Sequence, residues 1–318
     1  MVGERAVRPG VTGAPLAAVD CGTNTIKLLV TGPDGEQARE MRMVRLGQDV
    51  DRTGRLADAA LERAASALEE YAAIMRDHGV ERLRFCATSA TRDAANADVF
   101  AALVRERLGV DPEVLPGAEE AALAFAGAVR GLGDRIDPTA GPVLVVDVGG
   151  GSTELVLGDG SVPTAAVSMD VGSVRLHERH VAHDPPSAAE LAAVRADVDA
   201  ALDAAGDEHG VDPAVAVTVV GVAGTVTTVA AGVLGLPAYD RAALDGVRLA
   251  VADVREHVER LVAMTVDGRR ALPWMHPGRA DVIAAGAVLL VRVLERARAE
   301  QLLVSEHDIL DGIAWSMA

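Results

Sequence analysis

Aromatic side chains are scarce in this chain of 318 residues: three phenylalanines, two tyrosines and two tryptophans, 2% in all. A core without large rings has to be filled by Ala, Val and Leu, which help bring the apolar share to 50%, and elements built from small side chains must pack closely. Cysteine is nearly missing too. Cys21 and Cys86 each lie in an apolar strand-like run, which points to buried reduced thiols and not to a disulfide. No apolar run is long enough to span a bilayer and no signal peptide is recognisable, so a cytoplasmic protein is expected, with residues 1–14 as a loose tail. Positive charge is short, with 30 Lys and Arg against 47 Asp and Glu, a formal net charge of −17. That excludes a general nucleic-acid or anionic-membrane surface, both of which need a basic face. A polyanionic substrate would have to be held by local N–H groups, a few arginines and a divalent metal, against the overall field. Lysine is reduced to Lys27, which reads as chance in an arginine-biased composition.

What the chain does have is an internal repeat. Leu16-Ala17-Ala18-Val19-Asp20-Cys21-Gly22-Thr23-Asn24-Thr25-Ile26-Lys27-Leu28-Leu29-Val30 returns in register as Val143-Leu144-Val145-Val146-Asp147-Val148-Gly149-Gly150-Gly151-Ser152-Thr153-Glu154-Leu155-Val156-Leu157. Each copy reads as an apolar strand ending at an aspartate, a Gly-rich turn with hydroxyl or amide side chains, and a second apolar strand. Glycines let backbone N–H groups approach a phosphate, and a carboxylate at the strand end can hold hydrated Mg²⁺ against the same oxygens. Ordinary hairpins also use such turns, but turn chemistry does not require the aspartate in both copies. Two copies facing each other would form a cleft between two similar domains, and the length suits two domains.

Helices are predicted over 56–78, closed by Gly79, over 97–108 with Asn96 as cap and Gly109 as stop, and from Gly117 to about Leu132. Strands are predicted at 82–87 and 113–115, and 131–142 is a loop between the halves. In the second half Ser187 and Glu190 form a capping box for a helix over 188–204. A strand at 216–220 meets the Gly-rich Gly221-Val222-Ala223-Gly224-Thr225, a weak nucleotide signal that a tight strand-to-helix turn would equally explain. Helices over 249–264 and 279–299 and a short strand then a final helix from 302 complete the chain. Strands alternating with helices make the class α/β with mixed sheets.

Taken together, Asp20 to Thr25, Ala87 to Asn96, Gly117-Ala118-Glu119-Glu120-Ala121 and Asp147 to Glu154 resemble the exopolyphosphatase/guanosine pentaphosphate phosphohydrolase (Ppx/GppA) family of the sugar kinase/Hsp70/actin superfamily. Gly172 to Leu176, Gly221 to Thr225, Arg279 to Ile283 and Asp308 to Gly312 agree with it. The resemblance implies two actin-like (RNase H-like) domains around an interdomain cleft: residues 1–122 with 304–318, and residues 123–303, moving about a hinge. It implies a phosphoric anhydride hydrolase that uses Mg²⁺, with Mn²⁺ as a substitute, to remove the terminal phosphate of inorganic polyphosphate. Gly22, Thr23, Asn24, Thr25, Gly149, Gly150, Gly151 and Ser152 would surround the phosphoryl group, with Gly224 and Thr225 as further substrate contacts. Asp20, Asp147 and Glu154 would hold the metal, mostly through water. Arg92 would neutralise charge on the transferred group, Glu120 would act as base on water, and Glu154 would assist.

Plainer explanations stand beside these. Glu119 and Glu120 begin a helix whose dipole favours carboxylates, and which of the two is the base depends on register. Arg92 could pair with Asp93 or a nearby carboxylate, and Arg175 and Arg279 could be surface ion-pair partners. None of the eight histidines has metal-ligand spacing, His177 and His180 included. Two positions depart from the family pattern: Lys27 stands where many relatives have Arg, and Cys21 replaces an aliphatic residue. The chain also ends after two core domains, which implies low processivity and a preference for short chains. A pppGpp 5′-phosphohydrolase is the second enzyme expectation, and a non-catalytic polyphosphate or alarmone sensor is the third. A sugar or acid kinase fits less well, because the Glu-Glu-Ala segment suits water as acceptor. A homodimer is expected, without nucleic-acid or membrane partners.

Overall fold

In the computed structural model, which describes residues 13–137, 139–160 and 162–318, the repeat folds as two hairpins. The first is β1 (Leu16–Cys21) with β2 (Thr25–Gly32), and the second is β6 (Val143–Val148) with β7 (Thr153–Gly158). Each seeds a mixed sheet. Strands β3 (Gly35–Met43), β4 (Arg82–Ala87) and β5 (Glu113–Val114) complete the order β3-β2-β1-β4-β5. Strands β8 (Pro163–Met169), β9 (Thr218–Val222), β10 (Arg248–Ala250) and β11 (Gln301–Val304) complete β10-β11-β9-β6-β7-β8. In both sheets the leading strand is antiparallel to its hairpin partner and parallel to the strand on its other side. A parallel neighbour needs a crossover, and helix α2 (Asp58–Asp77), after the single turn α1 (Val50–Thr53), supplies it in the first half. One sheet therefore repeats the other, as expected for an α/β fold of two actin-like halves.

Between β4 and β5 lie the turn α3 (Ser89–Arg92) and α4 (Ala97–Leu108), and α5 (Gly117–Leu132) leads to the second half. There follow α6 (Ser173–His180), α7 (Ala188–His209), α8 (Ala223–Val233), α9 (Arg241–Leu244), α10 (Val251–Val262), α11 (Val266–Arg270), α12 (Ile283–Arg296) and α13 (Ile309–Ser316). Most long helices fall where periodicity places them, and the capping box of Ser187 and Glu190 is present. Three differences have identifiable physical causes. Asn96 precedes α4 but does not cap it: its amide is turned to the backbone of Leu56, accepting from the N–H at 2.8 Å and donating to the carbonyl at 3.1 Å. The helices expected from 249 and 279 begin later, because 248–250 pairs with β11 and 277–279 is a separate 3₁₀ turn. Strand β3 escaped periodicity because, as an edge strand, it carries Glu36, Arg39, Glu40 and Arg42, charges that keep an open edge from pairing with other chains. The tail expected over 1–14 lies, apart from 13 and 14, outside the described residues.

The cores are built as the composition requires, from Val, Leu and Ala, with Phe85, Phe100 and Phe125 all at most 1% exposed. Close approach is most severe where α5 crosses α13 between the two sheets. A Cβ on Gly127 would lie 1.9 Å from the Asp308 carbonyl oxygen, and one on Gly312 would lie 2.1 Å from that of Leu123, so both crossing points need glycine. The domain limit expected at 122/123 falls inside α5, which packs on β6, β7 and β8 and also on α13. Among the described residues no helix is long and apolar enough to cross a membrane.

Candidate active site

Strand register places the site. Across the first hairpin Asp20 lies opposite Lys27, and across the second Asp147 lies opposite Glu154, which in turn lies opposite Ser168 on β8. Directly opposed residues share a face, so each hairpin presents a row of polar side chains to the cleft. The turns are the same structure twice: the Gly22 N–H donates to the Thr25 carbonyl at 2.9 Å and the Gly149 N–H to that of Ser152 at 3.1 Å. They also touch. A Cβ on Gly150 would lie 3.0 Å from that of Thr23, and one on Gly151 would lie 2.5 Å from Thr23 Oγ1, itself 3.0 Å from Ser89 Oγ.

Gly22, Thr23, Asn24, Thr25, Gly149, Gly150 and Ser152 line one cavity together with Asp20, Glu120, Asp147 and Glu154, with Gly224 and Thr225 in its far wall. Gly151 faces a smaller neighbouring cavity, and Arg92 stands behind Glu120 and not in the wall. Arg92 Nη1 donates to the Leu115 carbonyl at 2.9 Å and to Glu120 Oε2 at 3.2 Å; its partner is Glu120, not Asp93. The two glutamates at the start of α5 face different ways: Glu120 is 5% exposed and faces the cavity, whereas Glu119 is exposed and pairs with Arg84.

Four carboxylates share this small space, and burial governs their titration. Burial raises Glu120 to about 7, with Asp20 and Asp147 adding to the rise and Arg92 opposing it. Glu154 is pushed up to about 8 by burial and then by Glu120, against hydrogen bonds from Ser168 (2.7 Å) and Ser152. Asp147 is raised by burial and by Glu154, and Asp20 by burial against the pull of Lys27. Glu120 can thus exchange a proton near neutral pH, which suits a general base.

Sequence reasoning gave no place in the site to Lys27, Asp308, Arg279 or Ser168. Lys27 is no accident of composition: its Nζ is 2.7 Å from Asp308 and 3.3 Å from Asp20. Burial works against its charge, yet Asp308, Asp20 and Asp147 override that and raise its pKa. The repeat held the signal, since Lys27 occupies the position of Glu154, seven residues after the aspartate in each copy. Arg279 lines the cavity and donates to the Gly224 carbonyl and to Thr228 Oγ1. Ala223 beside it adopts φ 65°, a left-handed conformation that costs a residue with a side chain about 1 kcal/mol. Arg175 does form ion pairs, and they span the cleft: Asp51 and Asp93 of the first half accept from it, while Arg179 also reaches Asp51. Among the described residues no three His, Cys, Asp or Glu groups lie close enough to hold a metal ion unaided.

Comparison with known proteins bears on family and fold. The model of the Ppx/GppA phosphatase family matches residues 36–318. Exopolyphosphatase 2 of Mycobacterium tuberculosis is 48% identical over 320 residues, covering 95% of this chain and 98% of its own length. A guanosine-5′-triphosphate,3′-diphosphate pyrophosphatase of Photobacterium profundum is 28% identical over 95% of this chain and 59% of its own. Among solved structures, an exopolyphosphatase-like protein matches with a TM-score of 0.90 at 42% identity, covering 96% of this chain and 98% of that one. An exopolyphosphatase from Cytophaga hutchinsonii matches with a TM-score of 0.85 at 25% identity, covering 95% and 97%. Twin hairpin turns around a cluster of buried carboxylates, joined to these likenesses, place the chain in the Ppx/GppA phosphatase family.

Proposed function

We propose that the protein is an exopolyphosphatase that releases orthophosphate from the end of inorganic polyphosphate. The observation that carries this reading is Glu120, a buried carboxylate ionising near neutrality in the cavity that both repeat turns enclose. The terminal phosphoryl group would sit between the turns, met by N–H groups and hydroxyls of residues 22–25 and 149–152. Glu120 accepts a proton from water, the water oxygen bonds to phosphorus, and the bond from phosphorus to the bridging oxygen breaks. The products are orthophosphate and a chain one unit shorter. Arg92 holds Glu120 in place and limits the rise of its pKa, and neutralising charge on the transferred group remains part of its proposed role. Arg279 supplies positive charge at the far wall.

The donor set fits Mg²⁺, because Asp20, Asp147 and Glu154 are hard oxygen ligands and the cavity holds more carboxylates than cations. With no three of them together, water and phosphate oxygens would complete its shell. Bound there, the ion would neutralise phosphate charge that this acidic pocket otherwise repels. A homodimer belongs to the proposal on family likeness alone. A cytoplasmic location belongs to it too, supported by Cys21 and Cys86, which are buried and free.

Hydrolysis of pppGpp is the second reading, favoured by one observation. A cavity of about 450 Å³ adjoins the first, and Met41, Trp274, Met275 and Pro277 give it an apolar wall that suits a purine. Phosphate release from tripolyphosphate, long polyphosphate and pppGpp, with and without Mg²⁺, decides among these. Faster release from a polyphosphate is expected. Faster release from pppGpp would establish the second reading, and tight binding without release of phosphate from any of them would make the protein a sensor.

A further inference from the structure

Lys27 lines both the catalytic cavity and the larger cavity beside it, so its ammonium group stands in the wall between them. Asp308 holds it there at 2.7 Å, with Asp20 at 3.3 Å on the catalytic side. Asp308 is itself fixed, since its side chain caps α13 by accepting from the Leu310 N–H at 3.0 Å.

Four cations line the larger cavity, and their partners differ. Arg39 is bound through both nitrogens to Asp311, Arg241 pairs with Glu36 and Glu306, and Lys27 pairs with Asp308 and Asp20. Arg279 alone among these four has no carboxylate partner and donates only to neutral oxygens, those of Gly224 and Thr228. Three of the four positive charges are therefore cancelled before any ligand arrives. A phosphate chain anchored by its end in the catalytic cavity and running into the larger one would meet Arg279 as an uncompensated cation, but would lose hydration beside Lys27 without gaining a second.

We propose that Asp308 is a specificity-determining residue: by masking Lys27 it denies polyphosphate a second cationic foothold, beside Arg279, between the two cavities, so the chain is gripped chiefly at its end. This rests on the exopolyphosphatase reading of the site. The trio Asp20, Lys27 and Asp308 carries one net negative charge; Asp308→Asn brings it to zero and leaves Lys27 one free face. Asn caps helices about as well as Asp, so the substitution changes charge and spares α13.

The test is equilibrium binding of tripolyphosphate without divalent metal, followed by KM and kcat with Mg²⁺. Asp308→Asn should lower both Kd and KM by about tenfold, as removal of one nearby buried negative charge implies, with kcat within about threefold of the parent. Pairing it with Lys27→Met removes both charges and should return Kd to within about threefold of the parent. Unchanged or weaker binding by Asp308→Asn would overturn the proposal, and so would a double variant that binds as tightly as the single one. Should Asp308→Asn fail to fold, Asp308→Ser keeps a capping hydroxyl and makes the same prediction. A protein that releases no phosphate from tripolyphosphate would refute the activity, while the binding arm still decides the role of Asp308.

Discussion

Glu120→Gln should inactivate the enzyme and stabilise it, and the stabilisation should depend on pH. The side chain is 5% exposed, and burial lifts its pKa from 4.5 to about 7. A group whose folded pKa exceeds its unfolded value contributes fully below the unfolded value and loses that contribution as pH rises through the folded one. Ionised Glu120 at pH about 8.5 therefore costs the fold up to roughly 3 kcal/mol, because a tenfold change in an ionisation constant is equivalent to about 1.4 kcal/mol. The amide carries no charge to bury and can still accept from Arg92. For a chain of this length that energy corresponds to a rise in Tm of about 4 °C at alkaline pH, shrinking toward zero below pH about 4. Thermal melts of parent and variant across this range, with phosphate release measured on the same samples, make the check. The expected loss of kcat is about 10²- to 10⁴-fold. A Tm difference that ignores pH, or a variant that still turns over at the parent rate, would refute the reasoning.

Three further outcomes follow from the geometry. In the parent, kcat/KM should climb with pH through about 7 as Glu120 ionises; Arg92→Met removes the chief influence opposing burial and should move that acid limb to higher pH, read from a pH-rate profile. Gly127→Ala places a methyl group 1.9 Å from the Asp308 carbonyl oxygen and should cost about 3 kcal/mol or more, seen as a lower midpoint in urea. Arg175→Gln unties Asp93 from the second half and leaves Asp51 held by Arg179 alone; it should shift the balance from closed to open cleft by about 1 kcal/mol, visible as a larger radius of gyration in X-ray scattering and a higher KM.

Much of the cleft was legible because the chain states it twice. The in-register aspartates and Gly-rich turns locate both hairpins, and strands of 4 to 8 residues inside the sheets carry the apolar patterns that reveal them. Less legible was whatever depends on a partner brought in from afar. Asn96 fits a local capping rule, yet its amide is taken by Leu56, 40 residues away. Lys27 looks incidental until α13 delivers Asp308 to it, a contact between positions 281 residues apart. Ser168 sits on β8, whose register against β7 decides that its hydroxyl meets Glu154. For Glu119 and Glu120 the helix start was clear, but only packing of α5 against the second sheet shows which one turns inward.

The central claim is that water, activated by Glu120, attacks the terminal phosphorus held between the two turns. Single-turnover hydrolysis of tripolyphosphate in heavy-oxygen water, followed by mass spectrometry of both products, tests it most directly. One labelled oxygen in the released orthophosphate and none in the remaining pyrophosphate is the predicted result. Label in the pyrophosphate, or equal labelling rates in parent and Glu120→Gln, would contradict it.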